Sequence, residues 1–225
     1  MALAYPHFLI NFKSYEGTAG DDGLAFVETV ERVSEATGAR FAVAPQLPDL
    51  RWLTDRTSLP VVAQAAIPRA DAGMGDVTLE AVADAGVDAV FVTHPGLEVG
   101  FDGVGPRIAR CRELGLESIV WVPDRETARA ALSFDPDCLL YERPSDVASE
   151  EGMVRTDPGR IERFVEFVAD ENPRTATFVG GGVRTADDVE RAFACGVDAT
   201  GAASAAVEAA DREGWLRSIA TAIPD

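Results

Sequence analysis

One lysine stands among the 225 residues, Lys13, in the run Ile10-Asn11-Phe12-Lys13. The other 19 basic residues are arginines. An ammonium kept where arginine is otherwise used points to a site that needs a compact charge rather than a planar fork. Three further features have residue types suited to chemistry. His94, one of two histidines, closes the apolar run Val90-Phe91-Val92-Thr93. An imidazole there is placed to act as an acid or electrophile. Glu142 follows Leu139-Leu140-Tyr141, and a carboxylate directly after buried residues is partly desolvated, which strengthens it as a base. Gly180-Gly181-Gly182 precede a helix opening at Thr185. Glycines let backbone approach an anion closely, and a helix start adds free N–H groups. Ala203-Ser204 would complete that cup. Each feature alone has a plainer reading: a surface lysine, a loop-start histidine, a Glu142–Arg143 ion pair, a flexible turn.

Together they describe one kind of chemistry. The sequence shows no metal-ligand spacing, no Walker-type loop and no dinucleotide fingerprint. No Ser or Cys is paired with a His–Asp relay. What remains is metal-free proton transfer on a small phosphorylated substrate, with a carboxylate base, an imidazole, an ammonium and a backbone phosphate cup.

Such groups need a scaffold that brings distant segments together. Eight short apolar runs alternate with helix-period segments: Phe8–Phe12, Phe41–Ala44, Val61–Gln64, Ala89–Thr93, Ser118–Val122, Cys138–Tyr141, Ala176–Gly180 and Ala199–Ala203. Near-continuous apolar runs suit parallel strands buried on both faces. The last is mostly Ala and Gly and is assigned by its place in the series. Asp157-Pro158 reads as a helix cap followed by proline at the first helical position, and Thr185-Ala186-Asp187-Asp188 as a capping box. Ala85-Gly86-Val87-Asp88-Ala89 and Cys195-Gly196-Val197-Asp198-Ala199 are near copies, each with a glycine suited to a left-handed helix end. The pattern predicts an α/β fold, a (β/α)8 TIM barrel forming a single domain over residues 1–225, with a doubly wound open sheet as the alternative. In a barrel the residues at the C-terminal strand ends face one site. These are Asn11, Lys13, Gln64, His94, Glu142, the glycines 180–182 and Ser204.

Composition narrows the partners. With 38 acidic and 20 basic residues the net charge is −18, which repels nucleic-acid backbones. The 47% hydrophobic content is too high for a disordered chain, and no run is long enough for a membrane helix. The N-terminus lacks the positive segment of a secretory signal, and three scattered cysteines suggest a reducing cytoplasm. Acidic excess with lysine nearly absent fits a protein of salty cytoplasm, where screening weakens self-repulsion. Ordinary acidic solubility is the competing reading.

In order along the chain, Asn11-Phe12-Lys13, Ala42-Val43-Ala44-Pro45-Gln46, Asp49-Leu50-Arg51, Val62-Ala63-Gln64, His94, Glu142 with Pro144, Gly182 and Ala203-Ser204 resemble the triosephosphate isomerase family, in its short, archaeal-type branch. The resemblance covers the whole chain. It implies interconversion of dihydroxyacetone phosphate and D-glyceraldehyde 3-phosphate through an enediol(ate), in glycolysis and gluconeogenesis. Lys13, His94 and Glu142 would be catalytic. Asn11, Lys13, Val147, Gly181, Gly182, Ala203 and Ser204 would bind substrate. No cofactor is implied, and the assembly would be a cytoplasmic homo-oligomer, a dimer or tetramer.

The chain departs from that pattern in places. Pro95-Gly96 follows His94 where the family has Ser-Glu. Proline has no N–H, so a bond orienting the site is expected to be lost. The loop Val147-Ala148-Ser149-Glu150-Glu151-Gly152 is acidic where the family closes over phosphate, and Ala205 replaces a glycine. These changes keep open an alternative: a divergent paralogous barrel, with weak or no isomerase activity, that binds another small phosphorylated metabolite.

Overall fold

The computed structural model describes residues 3–97, 99–146 and 152–224. The strands are β1 (His7–Asn11), β2 (Phe41–Ala44), β3 (Val62–Ala63), β4 (Ala89–Thr93), β5 (Glu117–Val122), β6 (Cys138–Tyr141), β7 (Ala176–Val179) and β8 (Ala199–Ala202). They form one parallel sheet in the order β2-β1-β8-β7-β6-β5-β4-β3. A single bridge between Val43 and Val61 joins β2 to the start of β3 and brings the sheet round into a barrel. The expected (β/α)8 architecture is present, and the open doubly wound sheet is excluded.

Side-chain alternation explains the two layers of core. Phe8, Ile10 and Phe12 point outward and pack with Phe26 and Val30 of the helix Gly20–Thr37, with the Phe12 and Phe26 rings stacked 4.9 Å apart. Leu9 points inward, with Phe91, Ile119, Leu140 and Phe178 from other strands filling the barrel. Every strand is therefore buried on both faces, which is why the runs read as continuous rather than alternating.

Several strands end earlier than the apolar pattern predicts. The first ends at Asn11 rather than Phe12, because the Asn11 side chain turns the chain there: Oδ1 accepts the Lys13 N–H at 2.8 Å. The third shrinks to Val62–Ala63, since Gln64 spends its side chain on carbonyls of neighbouring strands. The seventh and eighth each stop one residue short, where the glycine turn and Ala203 begin. The fifth gains Glu117.

The predicted caps are present. Asp157 accepts the Arg160 N–H ahead of Pro158, and Thr185 with Asp188 forms the reciprocal capping box. Gly86 and Gly196 take φ of 85° and 86°, the left-handed conformation that stops each helix before its strand. The three cysteines are buried and free. No helix among the described residues is long and apolar enough to cross a membrane.

Candidate functional site

The C-terminal ends of the strands surround an open cavity. Leu9, Phe91, Leu140 and Phe178 form its apolar floor. Its lining includes Asn11, Lys13, His94, Glu142, Gly181, Gly182, Ala203 and Ser204, eight of the nine residues the resemblance assigns to catalysis and binding; Gly180 joins them, and Gln64, also expected at the strand ends, is not among the lining residues. The ninth, Val147, lies outside the described residues, as do the rest of 147–151 and Glu98.

Lys13 reaches the cavity from an unusual backbone. Its φ is 44°, a left-handed conformation that costs a residue with a Cβ about 1 kcal/mol. Two side chains over-determine it. The Asn11 carboxamide accepts its N–H, and Gln64 Nε2 donates toward its carbonyl at 2.9 Å. The same Nε2 lies 3.1 Å from the Ala44 carbonyl and 3.0 Å from that of Pro45. One amide from β3 thus gathers the ends of β1 and β2, and strain held this way is common at functional sites.

His94 stands at the end of β4 with its ring edge-on to Phe91. The Gly96 N–H donates to Nδ1 at 3.3 Å. An acceptor Nδ1 puts the proton of the neutral ring on Nε2, the other nitrogen. Burial, with Lys13 adding repulsion, lowers the imidazole pKa to about 4. The loss expected from Pro95 is overturned here, because the orienting N–H belongs to the next residue.

Glu142 follows β6 and is 7% exposed. Burial over the apolar floor pushes its pKa up to about 7; Lys13 opposes the shift and Asp146 adds to it. The plain reading of Glu142 as the partner of Arg143 does not hold, since that guanidinium pairs with Asp146 at 2.8 Å.

The glycine turn serves two neighbours. Gly181 and Gly182 have φ of 81° and 72°, the region where a Cβ is strained. A Cβ on Gly180 would stand 3.2 Å from Glu142 Oε1, and one on Gly181 only 3.0 Å from it. A Cβ on Gly152 would overlap the Gly181 carbonyl. Glycine is needed at 181 to seat the carboxylate as well as to open backbone toward an anion, and at 180 a side chain would crowd Glu142. Behind the turn, Asp188 accepts the N–H groups of Arg184 and Thr185, both at 3.0 Å, and two guanidinium bonds from Arg155 at 2.6 Å each. These contacts hold its carboxyl at about 2 despite burial. They tie the helix Met153–Thr156 to the helix Ala186–Ala194.

Sequence reasoning missed four participants. Tyr15 and Arg184 also line the cavity. Arg184 had a signal, its place two residues after the glycine run. Asp146 and Gly152 had none beyond the neighbourhood of Glu142, because their contacts are made across the fold.

Comparison with known proteins agrees with this geometry. Residues 6–222 match the model of the family described as Triosephosphate isomerase. A triosephosphate isomerase of Methanothermus fervidus is 31% identical over 96% of this chain and 98% of its own length. That of Methanocaldococcus jannaschii is 29% identical over 94% and 97%. Among solved structures, an archaeal fructose 1,6-bisphosphate aldolase superposes with a TM-score of 0.66 over 96% of this chain and 93% of that one. At 14% identity it speaks only for the barrel. With nearly its whole length matched by the family model, the chain belongs to the triosephosphate isomerase family.

Proposed function

We propose that the protein interconverts dihydroxyacetone phosphate and D-glyceraldehyde 3-phosphate by proton transfer at Glu142. Glu142 removes a proton from the carbon beside the carbonyl and returns it to the adjacent carbon. A base with a pKa of about 7 is matched to work at neutral pH. His94, neutral at that pH, donates from Nε2 to the carbonyl oxygen and then moves protons between the two oxygens of the enediol. Lys13 stabilises the oxyanion as it forms, and Asn11 orients the substrate. The phosphate rests on N–H groups of Gly181, Gly182, Ala203 and Ser204, with Val147 at its edge. No step calls for a cofactor.

The observation that supports this reading is the pairing of opposite perturbations in one cavity. The carboxylate is raised and the imidazole lowered, and Lys13 acts on both. The reaction would serve glycolysis and gluconeogenesis, in a salty cytoplasm and as a homo-oligomer.

A coupled assay at molar salt tests the proposal, with dihydroxyacetone phosphate as substrate and Glu142→Gln beside the wild type. Turnover that disappears in the variant supports it. A folded wild type without turnover defeats it. Binding of a phosphate analogue without turnover would instead favour a non-catalytic barrel for another phosphorylated metabolite.

A further inference from the structure

Asp146 is 2% exposed, and its contacts converge from both sides of the segment that follows β6. Arg143 Nε lies 3.1 and 3.0 Å from its two oxygens, and Nη2 lies 2.8 Å from Oδ1. The Met153 N–H donates to Oδ2 at 3.1 Å, and the Ser145 hydroxyl donates to Oδ1 at 3.2 Å. Arg143 is the residue next to Glu142, and Met153 opens the helix that Arg155 ties to Asp188. Asp146 also abuts the glycine turn. The point where a Gly181 Cβ would stand lies 2.7 Å from the Asp146 Cβ, 3.1 Å from its carbonyl oxygen and 3.0 Å from Glu142 Oε1. Glu142 and Asp146 therefore rest on the same glycine.

We infer that Asp146 is a positioning residue for Glu142: locked by Arg143 and the Met153 N–H, it holds the turn bearing the carboxylate against Gly181, so that Glu142 and the phosphate turn keep one separation. The inference deepens the isomerase reading and rests on Glu142 as its base. Proton transfer needs reacting atoms held within a few tenths of an ångström, and the shared packing on Gly181 fixes the turn from which Glu142 projects. Asp146 reaches Glu142 through charge as well as position. Among the described residues the charged groups acting on Glu142 are Lys13, from the end of β1, and Asp146; His94 and Arg184 line the same cavity. Asp146 disfavours the ionised form of Glu142, against Lys13.

The test follows the Glu142 carboxyl by ¹³C NMR titration of the free protein, its resonance assigned through Glu142→Gln. Asp146→Asn keeps the shape and an acceptor for Met153 but removes the charge. The Glu142 midpoint is expected to move down by about half a unit or more. With dihydroxyacetone phosphate, kcat is expected to fall about tenfold while KM changes less than about threefold. An unmoved midpoint in folded Asp146→Asn overturns the inference. Should that variant fail to fold, Arg143→Gln leaves the Asp146 charge unneutralised and should move the midpoint up; no movement there overturns it equally. A wild type that turns over no triose phosphate would defeat the isomerase reading, while the titration would still decide the role of Asp146.

Discussion

The Gly96 N–H points at Nδ1 of His94 from 3.3 Å, and this single bond selects the tautomer with its proton on Nε2. Gly96→Pro removes that donor and sets the proline ring carbon against Nδ1, where the hydrogen had pointed. The expected result is a fall in kcat of about 10²-fold, the size seen when an oriented donor is lost. Imidazole ¹⁵N NMR should show both tautomers in the variant and one in the wild type. Full activity in Gly96→Pro would mean that something else orients the ring.

Glu142→Gln should abolish turnover and raise stability, and the gain should depend on pH. The carboxyl has a folded pKa of about 7 against an ordinary 4.5, so the native state holds a proton that the unfolded chain releases. The cost of the buried charge is absent below 4.5, grows as pH rises and is complete above 7. Glu142→Gln should therefore be more stable than wild type by about 2–3 kcal/mol above neutrality, and equal to it in acid. Denaturant titrations at both extremes check this, and a gain that persists in acid would contradict it.

His7 and His94 push the other way. Burial lowers both to about 4, so the unfolded chain binds the protons that the native state refuses. Their contribution is complete above the ordinary histidine value of 6.5 and is lost as pH falls toward 4. Replacing His7 with Phe should flatten the loss of stability across that window. An unchanged acid slope would show that His7 is protonated in the native protein.

Gly181→Ala should separate folding from catalysis. The new methyl would meet Glu142 Oε1 and Asp146 at a φ that penalises it. Turnover should drop by more than about 10²-fold, while the circular dichroism spectrum remains that of the wild type. Retained turnover would show that the carboxylate has room to move aside.

Lys13→Arg should lose activity by at least about 10²-fold, because a planar guanidinium cannot take the place of a compact ammonium in the cavity. Near-normal turnover would remove the argument from the chain's lone lysine. Arg155→Gln should act on stability instead, costing about 3 kcal/mol by leaving Asp188 buried with one partner fewer. A loss below about 1 kcal/mol would show that the Thr185 and Arg184 N–H groups suffice.

What could be read in advance was what local spacing encodes. Seven of the strands, the Asp157-Pro158 and Thr185–Asp188 caps and the left-handed Gly86 and Gly196 follow from residue type and period, and the eighth strand from its place in the series. So does the outward Phe12 between Asn11 and Lys13. The pairing of Lys13, His94 and Glu142 in one cavity followed once the barrel was assumed, since strand ends converge there. Illegible features depend on contacts between distant segments. Nothing in Arg155 announces Asp188, 33 positions later. Gln64 looked like a strand residue because its bonds to Lys13, Ala44 and Pro45 belong to the closed barrel. The Gly96 bond to His94 spans only two residues, yet it depends on the direction of the chain after Pro95, which composition does not encode.

The joint between β2 and β3 gives the molecule a weak line. Strand pairing there amounts to one bridge, Val43 with Val61, plus the Val43 N–H on Pro60 and the Gln64 amide at the rim. Amide hydrogens on either side of that line should exchange with solvent sooner than those of β6, β7 and β8. That line lies on the flank of the barrel away from Glu142 and the glycine turn. Glu142 and the glycine turn thus stand across the barrel from that line, whereas Lys13 is tied to it through the Gln64 amide.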